Sequence, residues 1–348
     1  MTKMFSRNIK YAPLKRRVID YLYRRSYSFR NFIDNKSDNY LFSTFYNSKQ
    51  AVPEHFFEGA VAICDGRMPL NATNIHGGLA DRLKGFVSVY DVCKRFSIDF
   101  KIFHTFPYNL QDFLVPNRHD WTIGPDRISY NPKISEAHIL RYLRIEGEEN
   151  YHKWRLEHIL KNNTPQKHIY TNLELVSEDR FRLLFDELFK PSPLLQNEIA
   201  RYKTLLTDNY ISVSLRFTHL LGDSIDEYMK ELDDTSKELL IDRCIDAIQD
   251  VIHDYPSRWI LVNSDSSRFL NKVVDCHLNY VFVIPGKPVH IDQVKNCDFC
   301  SILKTYVDFF MITHATKVIL IKSTEMYNSA FPRYAALIGN KPFFLKEI

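Results

Sequence analysis

A pair of adjacent glycines places the strongest constraint on this chain. Ile75-His76-Gly77-Gly78-Leu79-Ala80-Asp81-Arg82-Leu83-Lys84-Gly85 holds the only two neighbouring glycines in a sequence of 348 residues with 10 glycines. Upstream, the apolar run from Gly59 to Cys64 predicts a strand. Downstream, Leu79, Leu83, Phe86, Val87 and Tyr90 fall at helical spacing and predict a helix over about 78–96 with one apolar stripe. A strand, a glycine turn and a helix N-terminus bring bare backbone N–H groups to one point, where a phosphate or sugar can be held.

The rest of the chain repeats this alternation. A short apolar run at 100–103 reads as the next strand, and strand, helix, strand in that order argues for a parallel sheet. Residues 106–131, rich in Pro, Asn and Asp, read as loops. Residues 135–143, 146–161, 178–189 and 193–205 read as helices and 168–173 as a strand. The second half offers strands at 210–217, 258–263, 280–284 and 317–321. Its helices are expected at 236–255, 301–313 and 329–339, the last closed by Gly339-Asn340. Two α/β halves joined near residue 205 predict two Rossmann-like domains with a cleft between them. The expected boundaries are an N-terminal arm and connector over 1–50, a first domain over 51–205 and a second over 206–348. Ligands of such sheets sit beyond the carboxyl ends of the strands. His76-Gly77-Gly78, Arg216, Asp265 and the segment 323–329 all fall there.

The net charge of +4 conceals an asymmetry. Residues 1–37 hold ten Lys/Arg against two Asp, about +8, and the remainder holds 36 against 40, about −4. The basic residues Lys10, Lys15, Arg16, Arg17, Arg24, Arg25 and Arg30 alternate with Tyr11, Tyr21, Tyr23, Tyr27 and Phe29. That mixture suits an anionic membrane surface, a nucleic acid, or an arm packed on the body. Nothing approaches a run of about 18 apolar residues, and the first residues lack the apolar core of a signal peptide. The six cysteines follow no framework spacing, and reduced thiols in a cytosolic protein are the expected state. The single Cys297-Asp298-Phe299-Cys300 motif lacks the second pair that a structural zinc site needs, and no metal is expected.

Three groups could carry chemistry in the second half. Arg216, at the end of an apolar strand, needs an anionic partner, either a diphosphate or a nearby carboxylate. Ser264-Asp265, at the end of the next strand, could accept hydrogen bonds from a ribose or base, or cap the following helix. Asn328-Ser329-Ala330-Phe331-Pro332-Arg333 opens the last helix and offers a second anion cradle or an ordinary cap.

Taken in order, these motifs resemble fucosyltransferases of the GT-B type, over roughly residues 57–345. The resemblance rests on Gly-Gly-Leu-x-x-Arg at 77–82, the strand ending in Arg216 and the strand ending in Ser264-Asp265. It extends to Asp308-Phe309-Phe310 and to Ser329-Ala330-Phe331-Pro332-Arg333-Tyr334-Ala335-Ala336-Leu337. It implies a GDP-fucose donor, inverting transfer and no metal. Carried over, Gly77 and Gly78 lie near the donor phosphates, and Arg216 binds the diphosphate and stabilises the leaving group. Asp265, with Ser264, contacts the guanosine end, and Asn328, Ser329, Phe331 and Arg333 belong to a second diphosphate loop. The chain departs from the family at Ser214-Leu215-Arg216-Phe217, which lacks the family's His and second Arg. It departs again at Asp81, which stands where the family often has Asn. Asp81 and His76 are the candidate general bases. The reading is a cytoplasmic glycosyltransferase, peripheral at the inner membrane face, that acts on a glycan or lipid-linked glycan acceptor such as a lipopolysaccharide or capsule. The alternatives are another nucleotide sugar on the same fold, or a non-catalytic glycan- or nucleic-acid-binding protein.

Overall fold

The computed structural model describes residues 14–66, 77–141, 147–207, 209–223, 230–291 and 298–348, the side chains of 14–17 excepted. The elements run α1 (Leu14–Arg25), α2 (Tyr27–Phe42), β1 (Gly59–Cys64), α3 (Leu79–Phe96), β2 (Phe100–His104), β3 (Leu114–Pro116), β4 (Ser135–Leu140), α4 (Glu148–Leu160), β5 (Gln166–Thr171), α5 (Glu178–Leu188) and β6 (Phe189–Pro191). They continue with α6 (Pro193–Leu206), β7 (Tyr210–Leu215), α7 (Asp234–Asp254), β8 (Trp259–Ser264), α8 (Ser267–Asp275), β9 (Val281–Phe282), α9 (Phe299–His314), β10 (Lys317–Lys322), α10 (Ala330–Gly339) and β11 (Phe343–Glu347). The chain divides into two compact units. The first comprises residues up to Gly77, Asp81–Phe106 and Arg118–Leu184, and the second comprises Gly78–Ala80, Pro107–Asn117 and Phe185–Ile348.

The first unit is built on a parallel sheet in the order β2-β1-β5-β4. Every residue of β1 is buried, as its unbroken apolar run requires of a strand covered on both faces. On one face Val61, Ile63, Phe103, Ile139 and Tyr170 pack with Phe42 of α2. Helix α3 buries Leu79, Leu83, Phe86, Val87 and Tyr90. It approaches the sheet so closely at Gly85 that a Cβ there would lie 2.0 Å from the Thr171 carbonyl oxygen.

One expectation for this unit is corrected. Residues 135–140 form strand β4, where the sequence reads as helix over 135–143. Each of the six residues pairs in register with β5, and this tertiary pairing overrides the helical preference of Glu136, Ala137 and Leu140. The segment expected as an arm and polar connector contains α2, which is part of the body. Its Ser26 caps the helix by accepting from Phe29 N at 3.3 Å, and Arg30, Asn31, Asp38 and Phe42 are buried. Arg155 of α4, 1% exposed, bridges α2 and β4 with its guanidinium fork. Nε donates to Asn31 Oδ1 at 3.1 Å, and Nη2 donates to Asn35 Oδ1 at 3.1 Å and Asp38 Oδ2 at 2.7 Å. Nη1 donates to the Ile139 carbonyl at 2.5 Å, while Ile139 N donates to Asp38 Oδ2 at 3.0 Å. The pair therefore satisfies both backbone groups of a residue on edge strand β4, which would otherwise stay open to intermolecular pairing.

The second unit holds a parallel sheet in the order β11-β10-β7-β8-β9. Ile211, Val213 and Leu215 of β7 join Ile260, Val262 and residues of α7 and α8 in one core. On the opposite face Tyr210 donates its hydroxyl to the Met311 carbonyl of α9 at 2.5 Å. Asn340 closes α10 in the left-handed region, φ 52° and ψ 48°, a conformation that asparagine tolerates. The fifth strand, β11, is one the sequence reading does not anticipate. Residues 107–117 belong with this unit as well. There β3 pairs antiparallel with β6, and the Phe113 ring stacks on Tyr306 of α9 at 4.6 Å and 8°. Helix α6, assigned to the first half by the sequence reading, also falls in the second unit, where it packs on α9.

Candidate functional site

Polar groups gather at the carboxyl ends of β7 and β8. These strands are in register, with Leu215 opposite Ser264, so Arg216 and Asp265 leave the sheet side by side. Arg216 Nη1 lies 3.3 Å from Asp265 Oδ2; the arginine side chain is 17% exposed and the aspartate 7%. The two residues read separately as diphosphate and guanosine contacts thus form one ion pair. Asp265 also accepts from Phe217 N at 2.9 Å and Thr218 N at 2.8 Å. These bonds hold the turn after β7, where Thr218 takes a positive φ of 54°, unusual for a residue with a branched Cβ. Burial pushes the Asp265 carboxyl above its ordinary range, against the pull of Arg216 and the two N–H donors. Asp265 does not cap α8: Ser266 does, accepting from Phe269 N at 3.1 Å. Ser264 is buried and accepts from Ser266 N at 3.2 Å.

The segment before α10 is tied to the same place. Tyr327 N donates to the Arg216 carbonyl at 3.3 Å. Ser329 is the N-cap of α10 and accepts from Phe331 N at 3.3 Å. Asn328 and Arg333 are exposed, and the Phe331 ring packs edge-on against Phe309 at 5.0 Å. Arg216, an N-terminal helix end and exposed polar side chains thus accompany the strand ends, a combination suited to a dianionic group.

Two further residues of this sheet carry polar atoms that the sequence reading does not single out. Ser214 and Asn263 are opposite one another in register and each is 5% exposed. Asn263 Nδ2 donates to Ser212 Oγ at 3.0 Å, whereas Ser214 Oγ and Asn263 Oδ1 have no hydrogen-bond partner among the described residues. Buried polar atoms of this kind ordinarily find partners, so these two mark a place for water or ligand. The available signal is the presence of Ser and Asn inside otherwise apolar strands.

The glycine turn divides between the units. Gly77 takes φ 53°, and a Cβ there would lie 2.6 Å from the Asp81 Cβ, so glycine is required on both counts. Gly78, next to the start of α3, belongs to the second unit. Asp81 lies in the first turn of α3, and its Oδ1 is 2.5 Å from Lys84 Nζ. His76 lies outside the described residues. Arg82 is the turn's main fastener, with Nε donating to the Gly77 carbonyl at 3.1 Å and Nη1 to the Phe106 carbonyl at 2.9 Å. Nη1 also meets Cys64 Sγ at 2.9 Å and His104 Nε2 at 3.1 Å. One side chain thereby joins the turn to the ends of β1 and β2. Beyond β1, Asp65 accepts from the Tyr130 hydroxyl at 2.8 Å. Among the described residues no group of three or more His, Cys, Asp and Glu is arranged to hold a metal ion.

No family model matches the sequence, and no curated protein matches it. Solved structures do. NodZ α-1,6-fucosyltransferase soaked with GDP-fucose is 16% identical, with a TM-score of 0.52, over 81% of this chain and 92% of that one. Fucosyltransferase NodZ from Bradyrhizobium gives 16% identity and a TM-score of 0.52, over 81% and 93%. Arabidopsis thaliana FUT1, a variant in complex with GDP, is 12% identical with a TM-score of 0.51, over 98% of this chain and 85% of that one. These likenesses show a shared fold, the α/β fold of GT-B fucosyltransferases.

Proposed function

We propose that this chain is an inverting, metal-independent glycosyltransferase that moves fucose from GDP-fucose to a hydroxyl of a surface glycan. The reading is supported above all by Arg216, a partly exposed cation at the end of β7 beside Asp265, in a fold shared with structures soaked or complexed with GDP-fucose or GDP. The second unit takes the donor. Arg216 and the N-terminus of α10, with Asn328, Ser329, Phe331 and Arg333, meet the diphosphate, and Ser264 and Asp265 face the guanosine. Gly77 and Gly78 are assigned to the phosphates, and the first unit to the acceptor. The acceptor oxygen attacks C1 of fucose and forms the new glycosidic bond, while the C1–O bond to the β-phosphate breaks with inversion. The acceptor proton passes to a base, for which Asp81 and His76 are the candidates. GDP leaves with its developing charge met by Arg216.

Titration with GDP, UDP and CMP followed by thermal unfolding tests the donor. GDP at about a hundredfold over its Kd is expected to stabilise the protein by about 2.7 kcal/mol, with UDP and CMP inert. A response to UDP alone would move the reading to another nucleotide sugar, and no response to any of the three would remove it. For the base, Asp81→Asn is expected to lower kcat about 10²–10⁴-fold while GDP binding holds. A kcat within a few-fold of the parent protein would pass the role to another residue.

A further inference from the structure

We propose that the outward face of α1 docks on an anionic lipid bilayer. The inference stands apart from the donor reading, since it uses none of the same residues. Helix α1 is amphipathic in a way that folding alone does not need. Tyr23, 2% exposed, turns inward and donates its hydroxyl to Asp34 Oδ1 of α2 at 2.8 Å. Steps of about 100° per residue put Val18, Tyr21 and Arg25 on the opposite side, with Leu22 on the flank. Val18 is 50% exposed, Tyr21 61% and Leu22 37%, with Ile19 beside them at 36%. The Arg25 guanidinium lies 5.8 Å from the Tyr21 ring centroid, and α2 repeats the pairing with Lys36 4.4 Å from the ring of exposed Phe32.

The structure also removes part of the basic segment from consideration. Arg30 is buried over the Tyr151 ring at 3.8 Å. Both acids are engaged within the protein, Asp20 with Arg24 at 3.0 Å and Asp34 with Tyr23 and Tyr151. Residues 1–25 hold eight Lys/Arg against one Asp, in a chain whose remainder is net acidic, and among the described side chains Arg24 and Arg25 are exposed. A nucleic acid would answer these charges and leave Val18, Tyr21 and Leu22 in water. A second copy would cover the apolar side chains but bring like charges together. An anionic bilayer satisfies both features, with the apolar side chains at the acyl boundary and the cations among the headgroups. At 12 residues α1 is about 18 Å long, suited to lying in the interface, and among the described residues no helix is long and apolar enough to cross a membrane.

Sedimentation of the full chain with phosphatidylcholine vesicles, with and without a phosphatidylserine fraction, tests this. Partition onto the anionic vesicles is expected to exceed that onto neutral ones by about tenfold and to fall with added salt. Val18→Ser with Tyr21→Ser should reduce it about tenfold without altering thermal unfolding, because these side chains are at least half exposed to water. Arg24→Glu with Arg25→Glu should abolish both the binding and its salt dependence. Equal partition onto neutral vesicles, or full binding by the Ser variant, would overturn the proposal. So would a dimer of the parent chain that the Ser variant dissolves, or RNA binding that survives loss of the apolar pair. All variants should keep the response to GDP, so failure here leaves the donor reading untouched.

Discussion

Arg216→Ala is expected to abolish stabilisation by GDP. For units of this size, the roughly 2.7 kcal/mol of ligand stabilisation corresponds to about 5–10 °C in Tm, and the variant should show none of it. Turnover should fall at least about 10²-fold, the usual loss when a donor aimed at developing charge is removed. The same substitution leaves Asp265 without its cation, although the Phe217 and Thr218 amides still bind it. Arg216→Gln separates the two effects, because it keeps N–H donors near Asp265 and removes only the charge. If Arg216→Gln unfolds like the parent protein yet does not respond to GDP, the cation serves the diphosphate. If both variants still respond, Arg216 is the counter-ion of Asp265 and the diphosphate is held elsewhere.

Arg155→Met should be the most damaging single change in the first unit. It removes the cation from buried Asp38 and nearby Asp34, and the donor from the Ile139 carbonyl. Breaking a buried pair by removing one partner costs about 3–5 kcal/mol. In a unit of this size the loss is about 6–20 °C in Tm. Burial already pushes the Asp38 carboxyl upward against the pull of Arg155, and without the cation it rises further. A carboxyl whose folded pKa exceeds its unfolded value favours the folded state at low pH and loses that contribution as pH rises through the folded pKa. The deficit of Arg155→Met should therefore be full near neutrality and shrink towards about pH 4. Adding Asp38→Leu should restore at least about half of the lost stability, because the uncompensated charge goes with it. Equal melting of the single and double variants at all pH values would show that the ion pair is not the source of the loss.

Much of the architecture is legible in the order of residues alone. The run from Gly59 to Cys64, the stripe Leu79-Leu83-Phe86-Val87-Tyr90 and the alternation in Tyr210 to Leu215 are local patterns. A strand or helix displays its buried face in the residue period itself. The stretch 135–140 misled because Glu136, Ala137 and Leu140 favour a helix, and only the neighbouring β5 makes a strand the better answer. Residues 107–117 misled for a related reason. Their Pro and Asn content is that of a loop, while the partner that orders them, Tyr306, lies almost 200 positions away.

The candidate site divides along the same line. That Arg216, Asp265 and Ser329 stand at strand or helix ends follows from periodicity alone. That Arg216 and Asp265 meet each other depends on the register between β7 and β8, and register is a property of paired strands. The composition of residues 1–37 identified a basic aromatic segment and left three partners open. Tertiary packing then drew Tyr23 and Arg30 inward and left Val18, Tyr21 and Leu22 in solvent. Local periodicity, covalently encoded, determines which elements form and which residues end them. Burial and charge pairing are energies between residues far apart in the chain, and only the folded structure decides which of those residues meet.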